Sequence, residues 1–272
     1  MKKSTRCAPA MAMASAMVTI AMIAGPARAG VYVEMVNRDL ASSTSDLAQK
    51  MYVQGGRGRF VDPDGRATLI KDGTLYMVDD SQKTYVVFDK PTMEALAKQL
   101  NAVMEQAREQ ISKLPPEARA QAEQQLASQM PGMSDGGKWV VEAVDTGKTD
   151  KVDGRACRVW DVKRNGELDD QLCVVAYSAL PGKENFQAVF ADFAKAFEEM
   201  AKSVPMLSGA MTNEFAAQAK VNGFPVRSRA YEQGKLVDEE QVMTVWREET
   251  FPASLFEVPA GYKQEKLQLG GN

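Results

Sequence analysis

The 272-residue chain contains no histidine, and this absence excludes several kinds of catalytic site. Histidine is the usual general base near neutral pH and the commonest protein ligand of metals. Ser-His-Asp and Cys-His sites are therefore excluded, and we expect no enzyme, no cofactor and no metal. An enzyme that uses carboxylates or Ser178 is the least favoured alternative because it lacks such a base. Adjacent carboxylates such as Asp79/Asp80 and Glu239/Glu240 face opposite sides of a strand, so we interpret them as solvated surface.

Long apolar runs are absent from most of the chain, and the one that stands out lies at the N-terminus. Lys2-Lys3 precedes an apolar run over residues 8–24, and Ala27-Arg28-Ala29 follows it. This order is typical of a secretory signal peptide that is cleaved after Ala29. The run is shorter than the roughly 18 residues that a spanning helix needs. We therefore expect an exported, periplasmic protein without a membrane span.

Basic residues are in a minority once residues 1–29 are removed. This segment holds four basic and no acidic groups, so its loss lowers the formal net charge by four, from −3 to −7. An acidic chain is poorly suited to bind nucleic acid, so we expect no such partner. A Pro/Ser/Gly linker between two cores is also absent. We interpret residues 30–272 as one domain with a helical insertion over 91–130, and we expect a monomer.

Only three cysteines are present, and Cys157 and Cys173 are the two that follow the signal peptide. An even number suits an oxidising compartment. Residues 156–177 alternate as a β-hairpin, with Trp160 on one face and both cysteines on the other. If residues 164–166 form a three-residue loop, Cys157 lies directly opposite Cys173, at a Cβ separation of ~4.5–5.5 Å that is near disulfide range. Two reduced thiols, packed as small apolar residues, are the alternative to a disulfide.

Turn signals divide the rest of the chain into strands. Val31–Val36 is rich in β-forming residues and is predicted to be an edge or pairing strand. The glycines within the next segment predict a bulge or sharp bend there. Asp72-Gly73 is a signal of a type I′ hairpin. The predicted antiparallel meander has four strands, at residues 49–61, 66–71, 74–78 and 83–88, and later strands follow at residues 139–145, 226–232 and 236–246.

Three helices are predicted between these strands, and residues 206–221 are a candidate for one more short helix. Pro91 opens the first helix, which has apolar residues at a period close to 3.6 and ends before Pro115. Residues 117–130 are rich in Ala and Gln and predict an exposed helix. Residues 185–204 predict the most apolar helix, with one stripe formed by Phe186, Phe190, Phe193 and Phe197. Since burial of one Phe contributes ~1.5–3 kcal/mol, this stripe belongs to the core or to a cavity wall.

Methionine is abundant: eleven of the sixteen methionines follow Ala29. We interpret most of them, Met77 included, as buried core residues. No tight Met cluster with a second ligand type suggests copper. The flexible thioether chain also suits a deformable apolar cavity.

Three groups of residues, in order along the chain, resemble a family of exported bacterial proteins. They are Gly58-Arg59-Phe60, the stretch from Thr146 to Cys157, and Phe256–Lys263. The chain resembles domain-of-unknown-function family 4412, which is similar in outline to the periplasmic lipoprotein carriers. This resemblance implies an α+β fold, a curved antiparallel β-sheet or half-barrel with helices packed on its concave face. No catalytic residue comes with the resemblance.

Pattern and resemblance together predict a non-enzymatic envelope protein whose partner is a lipid or a lipoprotein. The apolar ligand would lie between the sheet and the helices. A structural or protein-interaction module, whose core is filled by its own side chains, is the alternative. The predicted ligand-binding residues are Phe186, Phe190, Phe193, Phe197, Leu96, Leu100 and Trp160.

Overall fold

The computed structural model describes residues 29–129, 140–203, 217 and 220–267, and the predicted signal peptide lies outside them except for Ala29. The helices within these residues are α1 (Lys90–Ser112), α2 (Pro116–Gln129) and α3 (Lys183–Ser203). The strands are β1 (Gly30–Asp39), β2 (Ser45–Gln54), β3 (Arg57–Val61), β4 (Arg66–Lys71), β5 (Thr74–Asp79), β6 (Thr84–Phe88), β7 (Val141–Val152), β8 (Arg155–Arg164), β9 (Glu167–Ala176), β10 (Gly223–Glu232), β11 (Lys235–Glu249) and β12 (Lys263–Glu265).

All twelve of these strands belong to one sheet, in the order β12-β6-β5-β4-β3-β2-β1-β11-β10-β9-β8-β7. Neighbours are antiparallel except β12 and β6, which are parallel. Strands β12 and β7 form the two edges, so the sheet is open within the described part of the chain. The predicted α+β class with a mostly antiparallel sheet is confirmed.

Strand β1 lies inside the sheet and joins its two halves. It pairs with β2 on one side and with β11 on the other. The prediction of an edge position is therefore wrong, although the prediction of a pairing strand holds. The cause is the contact with β11, which lies some 200 residues away in the chain, as in the pair Val33 and Trp246. No local pattern reveals a partner at such a distance.

Residues 49–61 form two strands rather than one bent strand. Gly55 and Gly56 have φ angles of 58° and 78° and make the two-residue turn between β2 and β3. Gly58 has another role, inside β3. A Cβ atom at Gly58 would lie 3.2 Å from Cγ1 of Val189, so the missing side chain lets α3 approach the sheet.

The predicted disulfide joins Cys157 and Cys173, whose Cα atoms are 5.4 Å apart. Its predicted register is wrong, because Cys173 pairs with Val159 and not with Cys157. The hairpin turn has two residues, Asn165 and Gly166, with φ angles of 52° and 86°. Such an Asn-Gly turn matches the twist of the strands, and an irregularity next to Val162 shifts the pairing. The bond therefore crosses the ladder diagonally.

The two faces of the sheet have different covers. The face of Val31, Val53 and Cys173 packs against the start of α3, and we call it the helical face. On the opposite face, the C-terminal segment after β11 packs on β1–β6 through residues such as Phe251 and Phe256. A second buried cluster on the opposite face of β7–β9 includes residues 217 and 221.

Helix α1 begins after Asp89, whose carboxylate accepts the N–H of Thr92 at 2.9 Å and so caps the helix. Its buried side chains include Met93, Ala97 and Met104, and the helix contacts α3 and β6. These contacts place α1 beside the helical face. The described side chains of α2 are exposed or half-buried, as predicted for the Ala/Gln-rich segment.

Candidate functional site

An aromatic group holds the start of α3 against strands β10 and β11. Phe186 is fully buried, and its ring stacks on Trp246 at a centroid distance of 5.0 Å and meets Phe224 edge-on at 5.4 Å. The indole N–H of Trp246 donates a hydrogen bond to the carbonyl of Pro181 at 2.9 Å. Rings in these geometries contribute more than their buried area alone. The first turns of α3 are thus fixed on the helical face.

The buried side chain of Asn185 ties three segments together at the same place. Its Oδ1 accepts the N–H of Gly55 at 3.0 Å, in the turn between β2 and β3. Its Nδ2 donates to the carbonyl oxygens of Ala29 at 3.0 Å and Gly182 at 3.2 Å. An amide is suited to this position because it is both donor and acceptor. The end of the sheet near Gly30 and the start of α3 are therefore held in a defined arrangement.

Of the predicted ligand-binding residues that the structure describes, Phe186 and Phe190 stack at a ring-centroid distance of 6.3 Å, whereas Trp160 lies apart from them. Phe186 is a core residue, whereas Phe190 is 38 % exposed, and Leu96 packs half-buried beside Phe88 and Met93. Trp160 packs with the cluster of Leu172, on the opposite face of the sheet. It cannot line one site with Phe186, because Val159, its neighbour in β8, belongs to the helical face. The side chains of Leu100, Phe193 and Phe197 lie outside the described part of the structure.

An open apolar patch lies on the helical face of strands β2–β6. Its members are apolar strand residues that are only half-buried or exposed, next to buried Ile70. Met77 is 49 % exposed, so the interpretation of this residue as buried is wrong. Helix α1 reaches one end of the patch through Phe88, and α3 packs against Phe60 and Ile70 at the other. We define the patch as Met51, Phe60, Leu75, Met77, Val86 and Phe88.

A charged network lies on the helical face where β1, β11 and β10 run side by side. Arg38 and Arg229 both pair directly with Glu240 across the sheet. Oε2 of Glu240 accepts from Nε of Arg229 at 2.8 Å, and Oε1 is 3.5 Å from Nη1 of Arg38. Nε of Arg227 is 3.8 Å from the same Glu240 carboxylate, and its Nη2 is 2.9 Å from Oδ2 of Asp150. Three guanidinium groups therefore share one carboxylate.

Glu240 is buried, so its interpretation as solvated surface is wrong. The signal for the network is present in the sequence, because Arg227 and Arg229 are two apart and so share one face of a strand. Their partner was not foreseeable without the register of β10 against β11. Asp150 takes part from the rim. The backbone N–H of Lys151 and the guanidinium of Arg227 hold the pKa of Asp150 below its ordinary value.

A small pocket of about 150 Å³ lies on the opposite face of β7–β9. Its floor is apolar, with Val162 and Leu172, and Arg164 and Asp169 stand at its rim. These two side chains are paired with each other at 2.9 Å. Among the described residues, no three His, Cys, Asp or Glu side chains are grouped so that they could hold a metal ion. Nor does any described helix have the length and apolar character to cross a membrane.

The family model with the description "Domain of unknown function (DUF4412)" matches residues 91–262, which is more than half of the chain. The chain belongs to this family. A crystal structure of an uncharacterized conserved protein from Thermus thermophilus is similar at 8 % sequence identity and a TM-score of 0.42. That similarity covers 87 % of this chain and 89 % of the other. No curated protein matches the chain.

The DUF4412 match confirms the family resemblance. Some of the features described above lie inside the matched residues, and others lie before them. Residues 91–262 include α3, the disulfide and most of the charged network. Arg38 lies before the match, and so do all residues of the open apolar patch. The patch is therefore formed by the part of this DUF4412 protein that precedes the matched region.

Proposed function

We propose that this DUF4412 protein is a non-enzymatic envelope protein that binds an apolar ligand, a lipid or the acyl chain of a lipoprotein. The ligand would lie between the helical face and the helices, on a concave surface that the helices partly close. The observation that carries this proposal is the open apolar patch on β2–β6. A contiguous apolar surface that is left partly exposed is typical of an interaction site.

The patch has the chemistry that an acyl chain requires. Met51 and Met77 have flexible thioether chains that adapt to the shape of a ligand. Phe60, on a neighbouring strand, gives the patch a rigid aromatic wall. Every 100 Å² of apolar surface that a ligand removes from water contributes about 2.5 kcal/mol to binding. A chain of several methylene groups laid over these strands would bind without any ionic contact.

The residues at the start of α3 have a supporting role in this proposal. Phe186 and Val189 are fully buried and so position the helix without contacting a ligand. Phe190, one turn further along α3, stacks on Phe186 and is 38 % exposed. A periplasmic location agrees with the disulfide, because such bonds persist in oxidising compartments.

The proposal is tested on protein purified from its own envelope. Native mass spectrometry should detect a bound lipid, and a fluorescent fatty acid should bind and be displaced by unlabelled lipid. Met77→Lys places a charge in the patch at an exposed position, so we expect fatty acid binding to weaken at least about tenfold with an unchanged fold. Val144→Lys, at an equally apolar position of β7 with 40 % exposure, is the matched control. Absence of both bound lipid and fluorescent binding would end the proposal.

One observation favours the alternative of a self-filled module. The predicted ligand contact Phe186 is enclosed by protein side chains, as a core residue would be. In that case the patch would be covered by another protein rather than by lipid. Fatty acid binding that is absent from the wild type and from both Lys variants would support this alternative.

A further inference from the structure

We propose that Arg38, Arg227 and Arg229 form a binding site for an oxyanion of the phosphate class on the helical face. The site lies at the end of β1 that is remote from Asn185. Cross-strand pairing places Arg38, Glu240 and Arg229 side by side on β1, β11 and β10. Arg227 pairs with Cys173 and so points to the face of the disulfide. The site does not require the apolar ligand proposed above.

The charges of the site are unequally buried. Three guanidinium groups surround Glu240, whose side chain is 6 % exposed, and this inner group carries an excess of positive charge. The balancing carboxylates stand at the rim: the side chain of Asp150 is 45 % exposed and that of Asp153 is 41 % exposed. Ion pairs to such exposed carboxylates contribute little, because water and salt screen them. An incoming oxyanion can therefore replace them at low cost.

Arg227 supplies a second, independent observation. Its side chain is 9 % exposed, and its Nε is buried without a hydrogen-bond acceptor. Glu240, at 3.8 Å from this nitrogen, is within ion-pair range but beyond hydrogen-bond range. Buried N–H groups of charged side chains nearly always have an acceptor. An oxyanion that replaces Asp150 at Nη2 of Arg227 would free this guanidinium to turn and give its Nε an acceptor, and the planar guanidinium forks of the three arginines suit the geometry of a phosphate group.

The first experiment measures phosphate binding to the full chain by calorimetry and by thermal shift, against chloride at matched ionic strength. We expect saturable stabilisation of the wild type by inorganic phosphate. Asp150→Asn combined with Asp153→Asn removes the competing rim carboxylates, so binding should tighten by about tenfold or more. A gain of affinity cannot arise from misfolding. Arg38→Gln, at the rim, should weaken binding by a similar factor, and Arg66→Gln, in an exposed ion pair on β4, is the matched control.

The second experiment separates the sources of the phosphate group. Dihexanoyl phosphatidylglycerol and dihexanoylglycerol differ only in the phosphate-containing headgroup. If Arg38→Gln weakens the binding of both free phosphate and the phospholipid, the result supports a general phosphate site. If it weakens only the binding of the phospholipid, the result supports a site for the lipid headgroup. If Arg38→Gln weakens the binding of neither ligand and Asp150→Asn/Asp153→Asn strengthens the binding of neither, the proposal is wrong, whatever the dihexanoylglycerol result says about the apolar patch.

Discussion

The two halves of the sheet, on either side of β1, are stabilised in different ways on the same helical face. On β8–β11 this face is closed by a disulfide, buried residues such as Val159 and Val226, and the network around Glu240. On β2–β6 the helical face has no disulfide and no such charged network, and apolar side chains such as Met77 are exposed to solvent. The difference teaches that the open apolar patch belongs to one half, whereas the other half exposes individual apolar residues such as Val144. The patch is therefore a candidate for function rather than a general looseness of the fold.

The opposite face supports this contrast. On β1 and β2 it carries Tyr32 and Tyr52, whose ring centroids are 5.1 Å apart, and the C-terminal segment adds Phe251 against Tyr52 at 5.5 Å. The same segment continues to β12, which pairs with the edge of β6. The half that is open on the helical face is thus well covered on its other side. A ligand would reach β2–β6 from the helical face.

The largest expected effect on stability comes from the start of α3, where Phe186 packs against Trp246 of β11. Phe186→Ala should lower the free energy of unfolding by about 3–5 kcal/mol, because it leaves a cavity between α3 and Trp246. Phe190→Ala, on the exposed part of the same helix, should cost about 1 kcal/mol or less. Urea unfolding of the two variants measures the difference. Equal losses would show that both rings are core residues and would weaken the case for an open surface.

The disulfide probes the β7–β11 half. Its reduction should lower the free energy of unfolding by roughly 3 kcal/mol in the chain-entropy model, because the bond closes a loop between cysteines that are 16 residues apart. Hydrogen exchange should show the loss of protection in β8 and β9 before β3–β6. The double variant Cys157→Ala/Cys173→Ala is the control, because a reductant should not affect it further. Uniform loss over the whole sheet would mean that the halves unfold as one unit.

Gly58 probes the other half. Gly58→Ala should cost about 1 kcal/mol, because the new Cβ would lie 3.2 Å from Val189 and closer still to the ring of Phe60. Here hydrogen exchange should increase in β2–β4 and at the start of α3, the reverse of the pattern for the disulfide. A double-mutant cycle with Val189→Ala tests the cause, since removal of the clashing methyl groups should reduce the penalty. Strict additivity would contradict the proposed contact.

The sequence predicts most elements of the fold through their local signals. Asp72-Gly73 and Gln233-Gly234 have positive φ angles and join β4 to β5 and β10 to β11. The helix that opens near Pro91 and the phenylalanine-rich helix are also where the pattern predicts them. These features depend on residues close together in the chain. Their periodicity and turn chemistry are therefore sufficient.

Features that depend on distant pairing could not be predicted in the same way. Arg38 meets Glu240 only because β1 pairs with β11, and this pairing decides that Glu240 is buried. Aromatic character alone favours Trp160 as a site residue, but it does not show which face of the sheet receives the helix. The open patch is not predicted from the sequence for a related reason. Met77 has an apolar side chain, and its exposure is set by what the rest of the chain leaves uncovered.

The smallest expected effects concern two aspartates, one in each half, whose pKa values lie below the ordinary 3.8. For Asp145 the main cause is the hydrogen bond from Arg158, at 2.6 Å between Nε and Oδ2, whereas for Asp79 it is the hydroxyl of Ser81. A lowered pKa in the folded state stabilises the fold above the ordinary value, and this contribution is lost as the pH falls through the lowered one.

Salt should distinguish the two halves at these positions. High salt screens the Arg158 pair and should move the pKa of Asp145 back towards 3.8, whereas the pKa of Asp79 should change less because its hydroxyl partner is neutral. Carboxyl titration by NMR at low and high salt measures both values. Arg158→Gln is the matched variant, and it should raise the pKa of Asp145 and leave that of Asp79 in place. Equal salt shifts at both sites would mean that net charge, rather than local partners, sets the acid stability of the two halves.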